Sequence, residues 1–82
     1  MIEFAEIKLL LAKALNIDPD GIKLLTAKSE IDEWDSLGQI SIVTTIESYF
    51  GVKFEDSEIF SFSNPKELCY ILETHGIKIK EE

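Results

Sequence analysis

Two stretches of this chain repeat apolar residues at the spacing of an α-helix, and turn chemistry brackets both. In the first, Phe4, Ile7, Leu11 and Ala14 share one face, with Leu10 and Leu15 beside them and Glu3, Glu6, Lys8 and Lys13 on the remaining surface. The spacing predicts a helix over about 2–15, ended near Asn16. Asp18-Pro19-Asp20-Gly21 then reads as a turn. In the second, Leu37, Ile40, Val43, Ile46 and Phe50 predict one buried face of a helix over 36–50. Gly51 stands where a left-handed C-terminal cap belongs, with Val52 as its apolar partner.

A third helix has the clearest start signal in the chain. Asn64 is its N-cap, Pro65 takes the first helical position, and Glu67 follows the cap by three residues. Leu68, Ile71 and Leu72 form its stripe, and Gly76 ends a helix predicted over 65–75. A shorter helix is expected over 56–61, with Ile59, Phe60 and Phe62 turned inward and Phe50, Phe54, Phe60 and Phe62 in the core. Residues 22–33 carry only a weak pattern and read as a long ordered connection, a class of loop that is often functional. The tail, 77–82, alternates apolar and charged residues, as a short extended piece or a frayed end does. The fold class is therefore all-α: a small four-helix bundle with a long loop between helices 1 and 2 and a short helix 3.

A chain of 82 residues makes one domain, 1–82, whose core contributes about 3–5 kcal/mol of net stability. A core that small leaves little room for a buried catalytic pocket, which favours carrying or binding over catalysis. Acidic residues number 16 against 8 basic ones, a net charge of −8 that repels nucleic acid and anionic lipid and attracts basic protein surfaces. The apolar runs are too short to span a membrane. Cys69 is the only cysteine, and the acidic start at Glu3 and Glu6 is unlike a secretory signal. A cytoplasmic monomer is expected.

The segment with chemical content is Glu33-Trp34-Asp35-Ser36-Leu37-Gly38-Gln39-Ile40, a serine at a helix start after a long acidic loop. Either Asp35 or Ser36 can cap the helix. A phosphodiester on the Ser36 hydroxyl would also face the positive end of the helix dipole and its free N–H groups. Both readings hold together if Asp35 caps and Ser36 points outward.

Asp35-Ser36-Leu37, followed by an amphipathic helix ending Ile46-Glu47-Ser48-Tyr49-Phe50-Gly51-Val52, resembles the acyl carrier protein family over most of the chain. The resemblance implies that Ser36 carries 4′-phosphopantetheine, transferred from coenzyme A by a separate phosphopantetheinyl transferase. That transferase uses Mg²⁺, which the carrier does not retain. The arm's thiol would hold acyl groups as thioesters, with no catalytic residue and no metal site in the carrier itself. The resemblance further implies acyl-loading and acyl-processing partners with basic or apolar patches, docking on the second helix. It also implies an acyl chain sheltered among Ile7, Leu11, Ile46, Leu68 and Ile71. Glu33-Trp34-Asp35 lacks the glycines that precede the serine of peptidyl carriers. D-alanyl or other aminoacyl carriers, and an unmodified carrier-like adaptor, are the alternatives.

The chain departs from relatives serving bulk fatty-acid synthesis, which bear several carboxylates on the second helix. Glu47 is the only acid between Ser36 and Phe50, and Gly38 weakens the first turn by roughly 1 kcal/mol relative to alanine. This points to a specialised fatty-acid, lipid or polyketide-type pathway, with docking through Leu37, Ile40 and Thr44, and with Glu47 and Trp34 as further docking candidates. Trp34 reads equally well as an anchor for the long loop. His75, the only histidine, reads as a surface or capping residue. A calcium loop starting at Asn16 would need glutamate at its twelfth place, where Ala27 stands.

Overall fold

The computed structural model describes residues 1–81. Its elements in order are β1 (Ile2–Glu3), α1 (Phe4–Leu15), α2 (Ser36–Phe50), α3 (Pro65–Thr74) and β2 (Ile79–Lys80). Short 3-10 turns occupy Pro19–Gly21, Lys28–Glu30 and Asp56–Glu58.

Among the described residues three α-helices form rather than four. The segment expected to be a short helix over 56–61 gives only the turn Asp56–Glu58. The Glu58 carbonyl, which a continuing α-helix would pair with an N–H four residues on, instead accepts from the Ser61 N–H at 3.1 Å and the Ser61 hydroxyl at 2.9 Å. Phe62 is fully buried, but Phe60, expected inside, is 57% exposed.

The ends of the helices follow their local chemistry. Asn16 closes α1 in the left-handed region (φ 57°), and Gly51 and Gly76 close α2 and α3 at φ 69° and 87°. At the start of α3, Asn64 Oδ1 accepts from the Glu67 N–H at 2.8 Å, and Glu67 Oε1 accepts from the Ser63 N–H at 2.7 Å.

The tail is ordered where it is described. Ile79 is buried, and β2 pairs in parallel with β1, placing Ile2 opposite Ile79 and Glu3 opposite Lys80. Glu82 lies outside the described residues.

The core joins Ile7, Leu11 and Leu15 of α1 to Ile42, Val43 and Ile46 of α2 and to Leu68, Cys69, Ile71 and Leu72 of α3. In α2 the buried stripe starts at Gln39 and not at Leu37: Gly38, Gln39, Ile42, Val43 and Ile46 are buried. Leu37 and Ile40, expected on the inner face, are 79% and 42% exposed. At 100° per residue, Gln39, Ile42, Val43, Ile46 and Phe50 cluster tightly, and Leu37 falls on the opposite side.

The long connection between α1 and α2 is pinned at several points. Ile22 is buried. The Lys28 N–H donates to the Ser63 carbonyl at 2.8 Å and the Lys66 N–H to the Leu24 carbonyl at 2.9 Å, tying the loop to the start of α3.

Candidate functional site

The site is the junction between the long loop and α2. Trp34 ends the loop, its N–H donating to the Ile31 carbonyl at 3.0 Å. Asp35 is the extended N-cap residue, and its Oδ1 accepts from the Gly38 N–H at 2.9 Å. Asp35 thus holds the cap by itself, and Ser36 is the first helical residue, exposed to solvent. Its hydroxyl has no hydrogen-bond partner among the described residues. An exposed hydroxyl on the first turn of a 15-residue helix, beside unpaired N–H groups and the positive dipole end, suits a phosphodiester.

Below the serine the packing is tight. A Cβ on Gly38 would fall 2.3 Å from the Glu33 carbonyl oxygen and 2.9 Å from Leu15 Cδ2. Glycine is required here for close approach of the loop, so the helix-propensity cost expected at this position is offset by packing that no other residue allows.

Trp34, offered as a docking candidate or a loop anchor, faces inward. It is only 3% exposed, and its indole N–H donates to Gln39 Oε1 at 2.6 Å. Gln39 is itself fully buried, and its amide nitrogen donates to the Ile59 carbonyl at 2.9 Å and to the Phe62 carbonyl at 3.3 Å. Sequence reasoning missed Gln39. The available signal was its place one turn before Ile42 and Val43, on the same stripe as Ile46 and Phe50.

Leu37, Ile40 and Thr44 lie together on the exposed flank of α2 that begins beside Ser36. Glu47 is half-buried, and its Oε2 accepts from the Phe54 N–H at 2.8 Å, so the lone acid of this helix is committed to a loop. Ile7, Leu11, Ile46, Leu68 and Ile71 all meet in the core, with exposures from 0% to 8%.

His75 caps the C-terminus of α3, stacks on Phe54 with centroids 5.7 Å apart, and places Nε2 2.9 Å from Glu58 Oε1. Cys69 is buried in α3; burial first, then Glu81 and Glu73, pushes its thiol up to about 12. The Asp18–Gly21 segment is a plain turn in which Asp18 Oδ1 accepts from the Asp20 N–H at 2.8 Å. No helix among the described residues is long and apolar enough to cross a membrane.

Comparison with known proteins places this geometry in context. The family of the phosphopantetheine attachment site matches residues 5–72. An acyl carrier protein of Phytoplasma mali (strain AT) is 28% identical over 72 residues, which cover 88% of this chain and 86% of that protein.

Proposed function

The chain belongs to the acyl carrier protein family, whose members take a 4′-phosphopantetheine group and are carriers, not enzymes, and from that premise we propose that Ser36 is the attachment point. The observation that carries this reading is the exposed Ser36 on the first turn of α2, with Asp35 supplying the cap in its place. In the loading step the Ser36 Oγ attacks the pantetheine-bearing phosphorus of coenzyme A. A new phosphodiester forms, the pyrophosphate bond breaks, and the adenosine nucleotide leaves. The hydroxyl proton passes to a base of the transferase, and Mg²⁺ there offsets the phosphate charge. The arm supplies a thiol that holds the acyl group as a thioester.

The partners are the transferase and acyl-processing enzymes of a specialised pathway, which read an apolar patch. Leu37, Ile40 and Thr44 are exposed next to Ser36, whereas Glu47 already holds the Phe54 N–H. The single thiol at Cys69 suits a reducing cytoplasm. Sheltering an acyl chain among Ile7, Leu11, Ile46, Leu68 and Ile71 requires these close-packed side chains to part, because almost none of their surface is free.

The test is to incubate the purified apo protein with coenzyme A, Mg²⁺ and a broad-specificity phosphopantetheinyl transferase and to record intact mass. A gain of one phosphopantetheine, absent in Ser36→Ala, is expected. Folded protein left unmodified by several transferases would overturn the proposal.

A further inference from the structure

We propose that Trp34 and Gln39 are positioning residues for Ser36, their buried hydrogen bond fixing the arc of chain that presents the serine to the transferase. The inference rests on the reading of Ser36 given above. The arc is closed on itself. The indole of Trp34 reaches Gln39 Oε1 at 2.6 Å, the Gln39 N–H donates to the Asp35 carbonyl at 2.8 Å, and the Gly38 N–H reaches Asp35 Oδ1 at 2.9 Å. Ser36 sits inside this arc and is exposed, while both residues of the side-chain bond are buried.

The orientation of the Gln39 amide is forced by chemistry. An indole N–H only donates and a backbone carbonyl only accepts, so the oxygen must face Trp34 and the nitrogen must face Ile59 and Phe62. One side chain therefore joins three segments: the loop before Ser36, the first turn of α2, and the connection leading into α3. The Trp34 ring also packs against Phe62, with centroids 6.3 Å apart.

An apolar residue at position 39 would fill the same core position without desolvating an amide. What the amide adds is direction, because hydrogen bonds fix distance and angle where apolar contacts allow sliding. A serine that must meet a phosphorus in line gains from such a fixed base, and misplacement by about 1 Å can lower a rate by on the order of a hundredfold.

The experiment is steady-state kinetics of Ser36 modification with the apo protein as varied substrate, coenzyme A and Mg²⁺ in excess. Trp34→Phe keeps a ring and removes the N–H. Ile79→Val trims the core in β2, which pairs with β1 just before α1 begins at Phe4, whereas Gly38 abuts Leu15 at the other end of α1. Because the protein is the substrate, partial unfolding lowers its effective concentration, which raises KM and leaves kcat unchanged. A positioning role predicts the opposite split: kcat for Trp34→Phe falls about tenfold while KM stays within about twofold, and Ile79→Val keeps the wild-type kcat. If Trp34→Phe does not fold, the double variant Trp34→Phe/Gln39→Met removes both partners and carries the same expectation. An unchanged kcat in the folded variant, or an equal kcat loss in Ile79→Val, overturns the positioning role. A wild-type protein that is not modified at all overturns the Ser36 reading itself.

Discussion

The indole N–H of Trp34 donates to the side-chain oxygen of Gln39 at 2.6 Å, joining the two buried residues that bracket Ser36. Removing the donor strands a buried acceptor, so Trp34→Phe is expected to lose about 1–3 kcal/mol of unfolding free energy. Urea denaturation checks this, and a loss below the error of the extrapolation would mean that water replaces the indole.

Gly38→Ala sets two effects against each other. Helix propensity favours alanine by about 1 kcal/mol. The new Cβ, however, meets the Glu33 carbonyl oxygen at 2.3 Å, a backbone atom that moves only with the loop. Overpacking of this kind costs about 1–3 kcal/mol or more. The expected outcome is net destabilisation in thermal unfolding, with slower modification of Ser36 as the loop shifts. A more stable, normally modified Gly38→Ala would show that the loop yields freely.

Cys69 gives a thiol count that separates the two states of the protein. Its thiol, pushed up to about 12 by burial, is protonated and shielded at pH 8. Native apo protein is expected to show no rapid reaction with a disulfide reagent, and urea-unfolded apo protein one thiol. Native phosphopantetheinylated protein should show one rapid thiol, that of the arm. Fast labelling of the native apo protein would contradict the burial of Cys69.

Glu58 links stability to acid. Its carboxylate accepts the Glu55 N–H first and pairs with His75 second, and both hold its pKa below the ordinary value of 4.5. A depressed folded-state pKa gives stability that is fully present above the unfolded value and is lost as pH falls through the folded one. Wild type is therefore expected to lose stability below about pH 4.5 more steeply than Glu58→Gln. Parallel melting-temperature profiles for the two proteins across that range would show that the carboxylate contributes nothing.

Asn64→Ala removes the oxygen that accepts the Glu67 N–H at 2.8 Å. The loss of an N-cap costs about 1 kcal/mol. Because α3 begins beside the Leu24 and Ser63 carbonyl contacts that pin the long loop, hydrogen exchange should quicken at Lys28 and Lys66 as well as at Glu67. Quickening confined to Glu67 would show that the loop is held independently of the cap.

Much of the fold was legible in local chemistry. Asn16, Gly51, Asn64 and Gly76 mark helix ends because capping needs only nearby backbone and particular residue types. The candidate serine was legible for the same reason, since Asp35-Ser36 at a helix start is a local pattern. The failed short helix was also a local matter, in which the Ser61 N–H and hydroxyl close the turn on the Glu58 carbonyl.

The remainder depended on contacts between distant segments. Apolar character suggested an inward Leu37, and nothing local singled out Gln39, yet Leu37 is exposed and Gln39 is buried, because carbonyls 20 and 23 residues away satisfy the Gln39 amide. The same contacts bury Trp34, and pairing of β1 with β2 decides that the tail is extended. The sequence by itself determined where α2 and α3 begin, where the three helices end and which hydroxyl stands at the start of α2, since those are set within a few residues. Only the tertiary structure decided which face of α2 is buried and what holds Ser36 in place, since a buried polar group is stable only where long-range partners meet it.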